Sequence, residues 1–168
     1  MTAQWVTGVV AVPQGRGGFS VTTRQIAANV SARHVVRDQI QVKMGRHSML
    51  IDHSVEMDGD DLGPSPVATL LGALAGCKAV TVARYARRKG YPVESIEVRI
   101  PAFDLDHDRI DGPVHAVLRL SGVKTVIELK GPITEEQRQE LEAVAHTCPI
   151  SETLRRGVVI EQRVLLRE

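Results

Sequence analysis

The feature that most constrains this chain is one long apolar helix predicted over residues 66–89. Ser65 is a favoured N-cap residue, and Pro66 suits the first helical position because its missing N–H would have no intrahelical partner there. The helical pattern ends at Gly90, with Pro92 just beyond it. Leucine, valine and alanine occupy almost every face, and a helix of that kind is normally buried by neighbours on several sides.

Composition limits the class of protein. The chain has 168 residues, 43% of them hydrophobic, which is enough for one domain with a sizeable core. We therefore take residues 1–168 as a single domain, with 1–18 as a mobile arm or loop. The net charge of +1 provides no field to hold a nucleic acid or an anionic membrane. The longest nearly uncharged apolar run, 66–77, is well short of the ~20 residues that a bilayer crossing needs.

Cellular context follows from the N-terminus and from the cysteine count. The first residues lack the charged, apolar and small-residue regions of a signal peptide, so we expect a cytoplasmic protein. In that compartment disulfides are usually transient and catalytic rather than structural. The two cysteines are therefore candidates for redox chemistry.

Hydrophobic periodicity and turn residues predict the remaining elements. Strands are predicted over 19–24, 34–43, 47–57, 95–100, 113–123 and 158–166, with a turn at Gly45 and an acidic hairpin loop around 104–112. Thr134 and Gln137 form a capping box for a helix through about residue 146. A short helix follows over about 148–156.

Each cysteine lies beside a helix signal. Cys77 falls in the middle of the apolar helix, where the commonest fate of a cysteine is to pack as a small hydrophobe. Gly72 and Gly76, four residues apart, would allow another backbone to approach closely beside it. Cys148 stands at the start of a helix, with Pro149 in the first turn, a setting that lowers a thiol pKa. Sequence spacing does not show whether the two cysteines meet.

Metal sites are considered and set aside. Asp104, Asp106 and Asp108 have the spacing that begins a calcium loop, but Arg109 stands where that loop needs glycine. A zinc site from Cys77, His146 and Cys148 is chemically possible, yet no tight ligand pair with standard spacing supports it. We therefore expect no metal and no cofactor.

Several segments together resemble the OsmC/Ohr superfamily of osmotically inducible and organic hydroperoxide resistance proteins. They are GPSPVATLLGALAGCKAVTVARYARRKGYPVESIEVRI at 63–100, the HDRI segment at 107–110 and CPISETL at 148–154. RHSMLIDHSVEMDGDDLGPSP, at 46–66, is similar to the family segment before the central helix. The resemblance covers about residues 45–168, with both cysteine motifs in the family order.

The resemblance implies an α+β fold in which antiparallel sheets from two chains intertwine around long central helices, making a homodimer. It also implies a thiol peroxidase that reduces organic hydroperoxides. Cys77 would be the peroxidatic cysteine, oxidised to a sulfenic acid, and Cys148 the resolving cysteine that forms a disulfide with it. A dithiol, typically lipoyl-linked, would then reduce the disulfide.

Two positions depart from the family pattern. The peroxidases carry a glutamate after the proline that starts the helix, and it helps to hold a catalytic arginine. Val67 stands at that position here, and Met57 stands where an arginine is expected. Arg46 and Arg37 are nearby candidates, and we take Arg46 as the candidate catalytic cation. Without an adjacent cation, burial should raise the pKa of Cys77. The alternative is a non-catalytic member that binds a small hydrophobic ligand at the dimer interface.

Overall fold

The computed structural model describes residues 28–109 and 116–166, and within them it shows the expected α+β fold. Two antiparallel sheets, one of three strands and one of two, accompany three α-helices in this part of the chain. The elements are β1 Val30–Val36, β2 Gln39–Met44, β3 His47–Ile51, a 3₁₀ turn Val55–Met57, α1 Pro66–Lys89, β4 Ser95–Arg109, β5 Ala116–Lys130, α2 Glu135–His146 and α3 Pro149–Arg156. The predicted strand 19–24 and the predicted arm 1–18 lie outside the described residues.

The three-stranded sheet has the order β1-β2-β3. The prediction of one strand over 34–43 is wrong, because the chain turns at Arg37 and Asp38 between β1 and β2. Arg37 adopts a φ of 48°, the left-handed region in which an extended strand cannot continue. The predicted turn at Gly45 is confirmed, with a φ of 61°.

A buried carboxylate ends β3 earlier than the sequence predicts. The strand was expected through residue 57 but stops at Ile51, and Asp52 follows with only 1% of its surface exposed. The Asp52 carboxylate accepts hydrogen bonds from the backbone N–H groups of His53, Asp60 and Leu62 at 2.8, 3.3 and 3.1 Å. These bonds fold the chain into a compact loop in place of a longer strand.

The second sheet is a long hairpin of two 15-residue strands. Its register runs from the pair Ser95 and Lys130 to the pair Arg109 and Ala116. The acidic segment around residues 104–108 therefore belongs to β4, which corrects its prediction as a loop. Residues 110–115, between the two strands, lie outside the described residues. The predicted strand 113–123 is confirmed from Ala116 onward and is longer than expected.

All three predicted helices are confirmed. The side chain of Ser65 caps α1 by accepting the N–H of Ala68 at 3.2 Å, and Gly90 ends the helix with a φ of 68°. The capping box of α2 is present, since Thr134 accepts the N–H of Gln137 and the Gln137 side chain accepts the N–H of Thr134.

The core lies where α1 and α2 pack together beside the hairpin. The buried cluster is Val82, Ala86, Leu141 and Ala145. Where α1 ends, Glu140 of α2 accepts hydrogen bonds from the hydroxyl groups of Tyr85 and Tyr91. This network ties the C-terminal turn of α1 to α2.

Only one face of α1 is buried within the chain. Leu71, Leu74, Val82 and Ala86 make that face, while the opposite side carries an exposed stripe. The residues of the exposed stripe are Ala73, Gly76, Val80 and Ala83. A Cβ built on Gly72 or Gly76 would meet no atom within 4 Å, so the close approach predicted there does not occur within one chain.

By length and composition, α1 could cross a membrane. It is, however, the helix against which α2 packs, and the core helix of a globular domain passes the same test. Its middle also carries a charged residue, Lys78, which contacts the backbone of α2.

The predicted last strand, 158–166, is wrong for the single chain. Residues 157–166 form no helix or strand, and they are exposed throughout, with Ile160 82% and Val164 82% exposed. A strand needs a hydrogen-bonded neighbour, and none of the described strands pairs with this segment.

Candidate active site

Cys148 lies at the start of α3, as the sequence predicts. It is the N-cap residue of that helix, with Pro149 in the first turn. Its Sγ accepts the backbone N–H of Ser151 at 3.5 Å, in the place where Ser or Asp usually caps a helix. The residue has no exposed surface. The helix start thus presents backbone N–H groups to a fully buried sulfur.

Cys77 faces Cys148 across the contact between α1 and α3. Its thiol lies near enough to the Cys148 sulfur and to the N–H of Ile150 for both to affect its pKa. Unlike Cys148 it is partly exposed. The structure therefore brings the two predicted cysteines together, which spacing along the sequence could not show. Both are free thiols.

The two thiols have opposite tendencies to ionise. Burial raises the pKa of Cys77, and the hydrogen bond that it donates to Cys148 raises that pKa further. Burial also opposes ionisation of Cys148, but hydrogen bonds from Cys77 and from Ser151 outweigh it, so the pKa of Cys148 is lowered. Both directions agree with the sequence-based expectation.

In the described chain, the hydrogen bond found for Arg46 is to its neighbour His47 and not to α1. Arg46 occupies the turn between β2 and β3, is exposed, and its Nε donates to Nε2 of His47 at 3.4 Å. Arg37, the other candidate, binds the acidic loop before α1, through Asp60 Oδ1 at 2.8 Å and Asp58 Oδ1 at 3.3 Å. Its guanidinium therefore holds the β1–β2 turn against that loop.

The first turn of α1 contains no acidic residue, and Val67 stands there as the sequence shows. His146 ends α2, two residues before Cys148. Among residues 28–109 and 116–166, no group of three or more His, Cys, Asp or Glu side chains is arranged to hold a metal ion.

Lys78, next to Cys77, was not singled out from the sequence. It is 6% exposed, and its Nζ donates to the carbonyl oxygen of Ala145 at 3.2 Å. A sequence signal existed, since Lys78 is the only charged residue between Pro66 and Ala83. A charge inside a run of that kind is rarely buried without a specific purpose.

Asp52 was also missed. Hydrogen bonds from Leu62, His53 and Asp60 lower the pKa of its carboxyl group against the opposing effect of burial, which is the largest single influence. It organises the loop that leads into α1, and so it supports the site without touching either cysteine. The sequence gives only a weak indication of this role, since Asp52 is an aspartate at a strand end before a loop rich in aspartate and glycine.

Comparison with known protein families identifies one family for this chain. The profile of the family described as OsmC-like protein matches residues 59–163. A search of curated protein sequences found no match.

Solved structures of similar fold carry related descriptions. An OsmC-like protein from Mycoplasma pneumoniae is 19% identical, with a TM-score of 0.60 over 79% of this chain and 89% of that one. An organic hydroperoxide resistance protein from Legionella pneumophila is 17% identical, with a TM-score of 0.55 over 79% and 92%. The organic hydroperoxide resistance protein OhrB of Bacillus subtilis is 20% identical, with a TM-score of 0.51 over 77% and 91%. At these identities the likeness concerns the fold.

Proposed function

Because the chain belongs to the OsmC-like protein family, we propose that it is a thiol-dependent peroxidase that reduces organic hydroperoxides. The observation that carries this proposal is the meeting of Cys77 and Cys148, the protein's two cysteines, with opposite shifts in thiol pKa. Structural neighbours described as hydroperoxide resistance proteins support the same class of reaction. They favour it over the ligand-binding alternative.

The exposure of the two cysteines supports this division of roles. Cys77 is partly exposed and can be reached by a hydroperoxide, whereas Cys148 is fully buried. In the first step the Cys77 thiolate attacks one peroxide oxygen, the O–O bond breaks, and the alcohol leaves after taking up a proton. Cys77 becomes a sulfenic acid. The thiolate of Cys148 then attacks the sulfur of Cys77, and water leaves as the disulfide forms.

The lowered pKa of Cys148 suits the resolving step, because the attacking group in disulfide formation is a thiolate. A dithiol such as a lipoyl group would return both cysteines to the reduced state. Two electrons pass from the dithiol to the protein disulfide, and the reductant leaves as its own disulfide.

The raised pKa of Cys77 is an obstacle to the first step, and a cation would relieve it. Arg46 is the proposed source. The three-stranded sheet that carries it does not pack extensively on α1 in the described chain, so its approach to Cys77 would depend on assembly. A guanidinium there would also stabilise the developing alkoxide.

We further propose that the protein is a homodimer. The exposed stripe of α1 is apolar, with Val80 51% exposed, and the segment 157–166 offers unpaired apolar residues. Together they are more apolar surface than an isolated domain normally leaves in water.

The test is consumption of cumene hydroperoxide by the reduced protein in the presence of dihydrolipoamide. The wild type should turn over, Cys77→Ser should be inactive, and Cys148→Ser should complete one round and then accumulate sulfenic acid. Arg46→Met should slow the first step, while Arg33→Met, which removes an exposed arginine of β1, should not. Peroxide consumption by Cys77→Ser at the wild-type rate would refute the proposal.

A further inference from the structure

Lys78 is a buried cation that the protein only partly satisfies. Its residue is 6% exposed, and its single described partner is the carbonyl oxygen of Ala145 at 3.2 Å. A lysine ammonium group has three N–H donors, so two of them have no partner in the described part of the chain. A buried charge is normally paired with an opposite charge.

Lys78 stands where two grooves meet. One groove, of about 540 Å³, lies between α1, α3 and β5, and we call it the basic groove. The other, of about 440 Å³, lies between α1, α2 and β5. Lys78, Thr125 and His146 line both of them. The volume of the basic groove is in the range of small-molecule sites.

The rest of the basic groove is mainly apolar. Its apolar lining residues are Leu70, Leu74, Leu120, Val123 and Leu154. Leu74 is one helical turn from Cys77, and Ser151, which also lines the groove, bonds the sulfur of Cys148. The groove therefore runs beside the cysteine pair without including it.

Among the described lysine and arginine side chains that line the basic groove, Lys78 is the one with no acidic partner. No carboxylate is among its described lining residues. Two arginines also line it, but Arg119 pairs with Asp106 at 2.9 Å and Arg155 pairs with Glu152. The groove thus combines one buried positive charge with an apolar surface.

We propose that the basic groove binds a medium-chain alkyl carboxylate, with the carboxylate accepting hydrogen bonds from Lys78 and the chain along the leucine-rich wall. One ammonium group matches one negative charge, and the apolar lining favours a ligand whose remainder is hydrocarbon. The proposal does not depend on peroxidase activity. It concerns binding by residues next to the cysteines and requires no redox step.

Calorimetric titration of the full-length reduced protein with decanoate is the test, with 1-decanol as the uncharged control ligand. Decanoate should bind and 1-decanol should bind about tenfold more weakly or not at all, because the alcohol lacks the charge that Lys78 recognises. Lys78→Met should remove the preference for decanoate. Lys124→Met, which alters an exposed lysine of β5 outside the groove, should bind decanoate as the wild type does.

A second variant tests the groove at a more exposed position, in case the substitution of buried Lys78 prevents folding. Leu154 lines the groove and is 40% exposed, so Leu154→Asp should fold while placing a negative charge beside the ligand. It should weaken decanoate binding by about tenfold or more through charge repulsion. Equal affinity for decanoate and 1-decanol would overturn the proposal. Unchanged binding of decanoate by Lys78→Met would also overturn it. The same holds if the wild type does not bind decanoate because a second copy of the chain fills the groove.

Discussion

Replacing Lys78 by methionine should leave the folded protein at least as stable as the wild type. Burial of an ammonium ion costs several kcal/mol even after the surroundings relax. Lys78 recovers part of this from its hydrogen bond to the carbonyl of Ala145, about 1.5–3 kcal/mol for a bond to a charged group. The ammonium group also lies beside the C-terminal end of α2, where the helix dipole stabilises a positive charge by up to about 2 kcal/mol.

These contributions roughly cancel the cost of burying the charge. Methionine carries no charge, so the variant has neither the burial cost nor the stabilising contributions. Methionine is an unbranched side chain of similar length that fills irregular gaps well. We therefore expect Lys78→Met to change the free energy of unfolding by between zero and about 2 kcal/mol in the stabilising direction. A buried charge that does not stabilise the fold is typical of a functional residue.

Urea denaturation at one fixed protein concentration would measure this, because the proposed dimerisation would make the apparent stability depend on protein concentration. Lys124→Met is the matched control and should stay within about 0.5 kcal/mol of the wild type, as exposed substitutions usually do. If Lys78→Met lost more than about 1 kcal/mol, the ammonium group would be a net structural bond to α2, and the reasoning on its unsatisfied charge would fail.

Three further predictions follow from the site and its supports. In the Arg46→Met variant, which lacks the proposed cation, the rate of the first oxidation of Cys77 should keep rising with pH up to and beyond the ordinary thiol pKa of about 8.5, because the raised pKa delays thiolate formation; a plateau near neutral pH in that variant, measured by stopped-flow, would contradict this. Val80→Glu, at the centre of the exposed stripe, should shift the sedimentation coefficient from dimer to monomer, while Val126→Glu, on exposed β5, should not. Asp52→Asn should lower stability at neutral pH, and the difference should vanish as pH falls below about 4 through the lowered pKa of Asp52; a constant difference in acid would contradict it.

Local signals explain why the helices were predicted well from the sequence. Ser65 and Pro66 begin α1, Gly90 ends it, and the capping box begins α2, and each of these acts within a few residues. The strand ends were predicted poorly because long-range contacts or unmarked turns decide them. Arg37 makes a turn without glycine or proline, and three backbone bonds to Asp52 end β3.

The two cysteines of the candidate site were singled out from the sequence, but their geometry and the neighbouring Lys78 were not. Helix-start chemistry predicted the lowered pKa of Cys148, and an apolar helix predicted the raised pKa of Cys77. Their meeting depends on how α3 docks on α1, which no short-range pattern records. The segment 158–166 has the alternation of a strand, but the partner that would pair with it is not among the described strands of this chain.

The most direct test of the peroxidase proposal is mass analysis of non-reduced peptides after one equivalent of organic hydroperoxide. A disulfide between the peptides that contain Cys77 and Cys148, reversed by dihydrolipoamide, is the predicted result. The Cys148→Ser variant should instead show sulfenic acid on Cys77 alone. Separate overoxidation of both cysteines in the wild type, with no crosslink between them, would contradict the proposed mechanism.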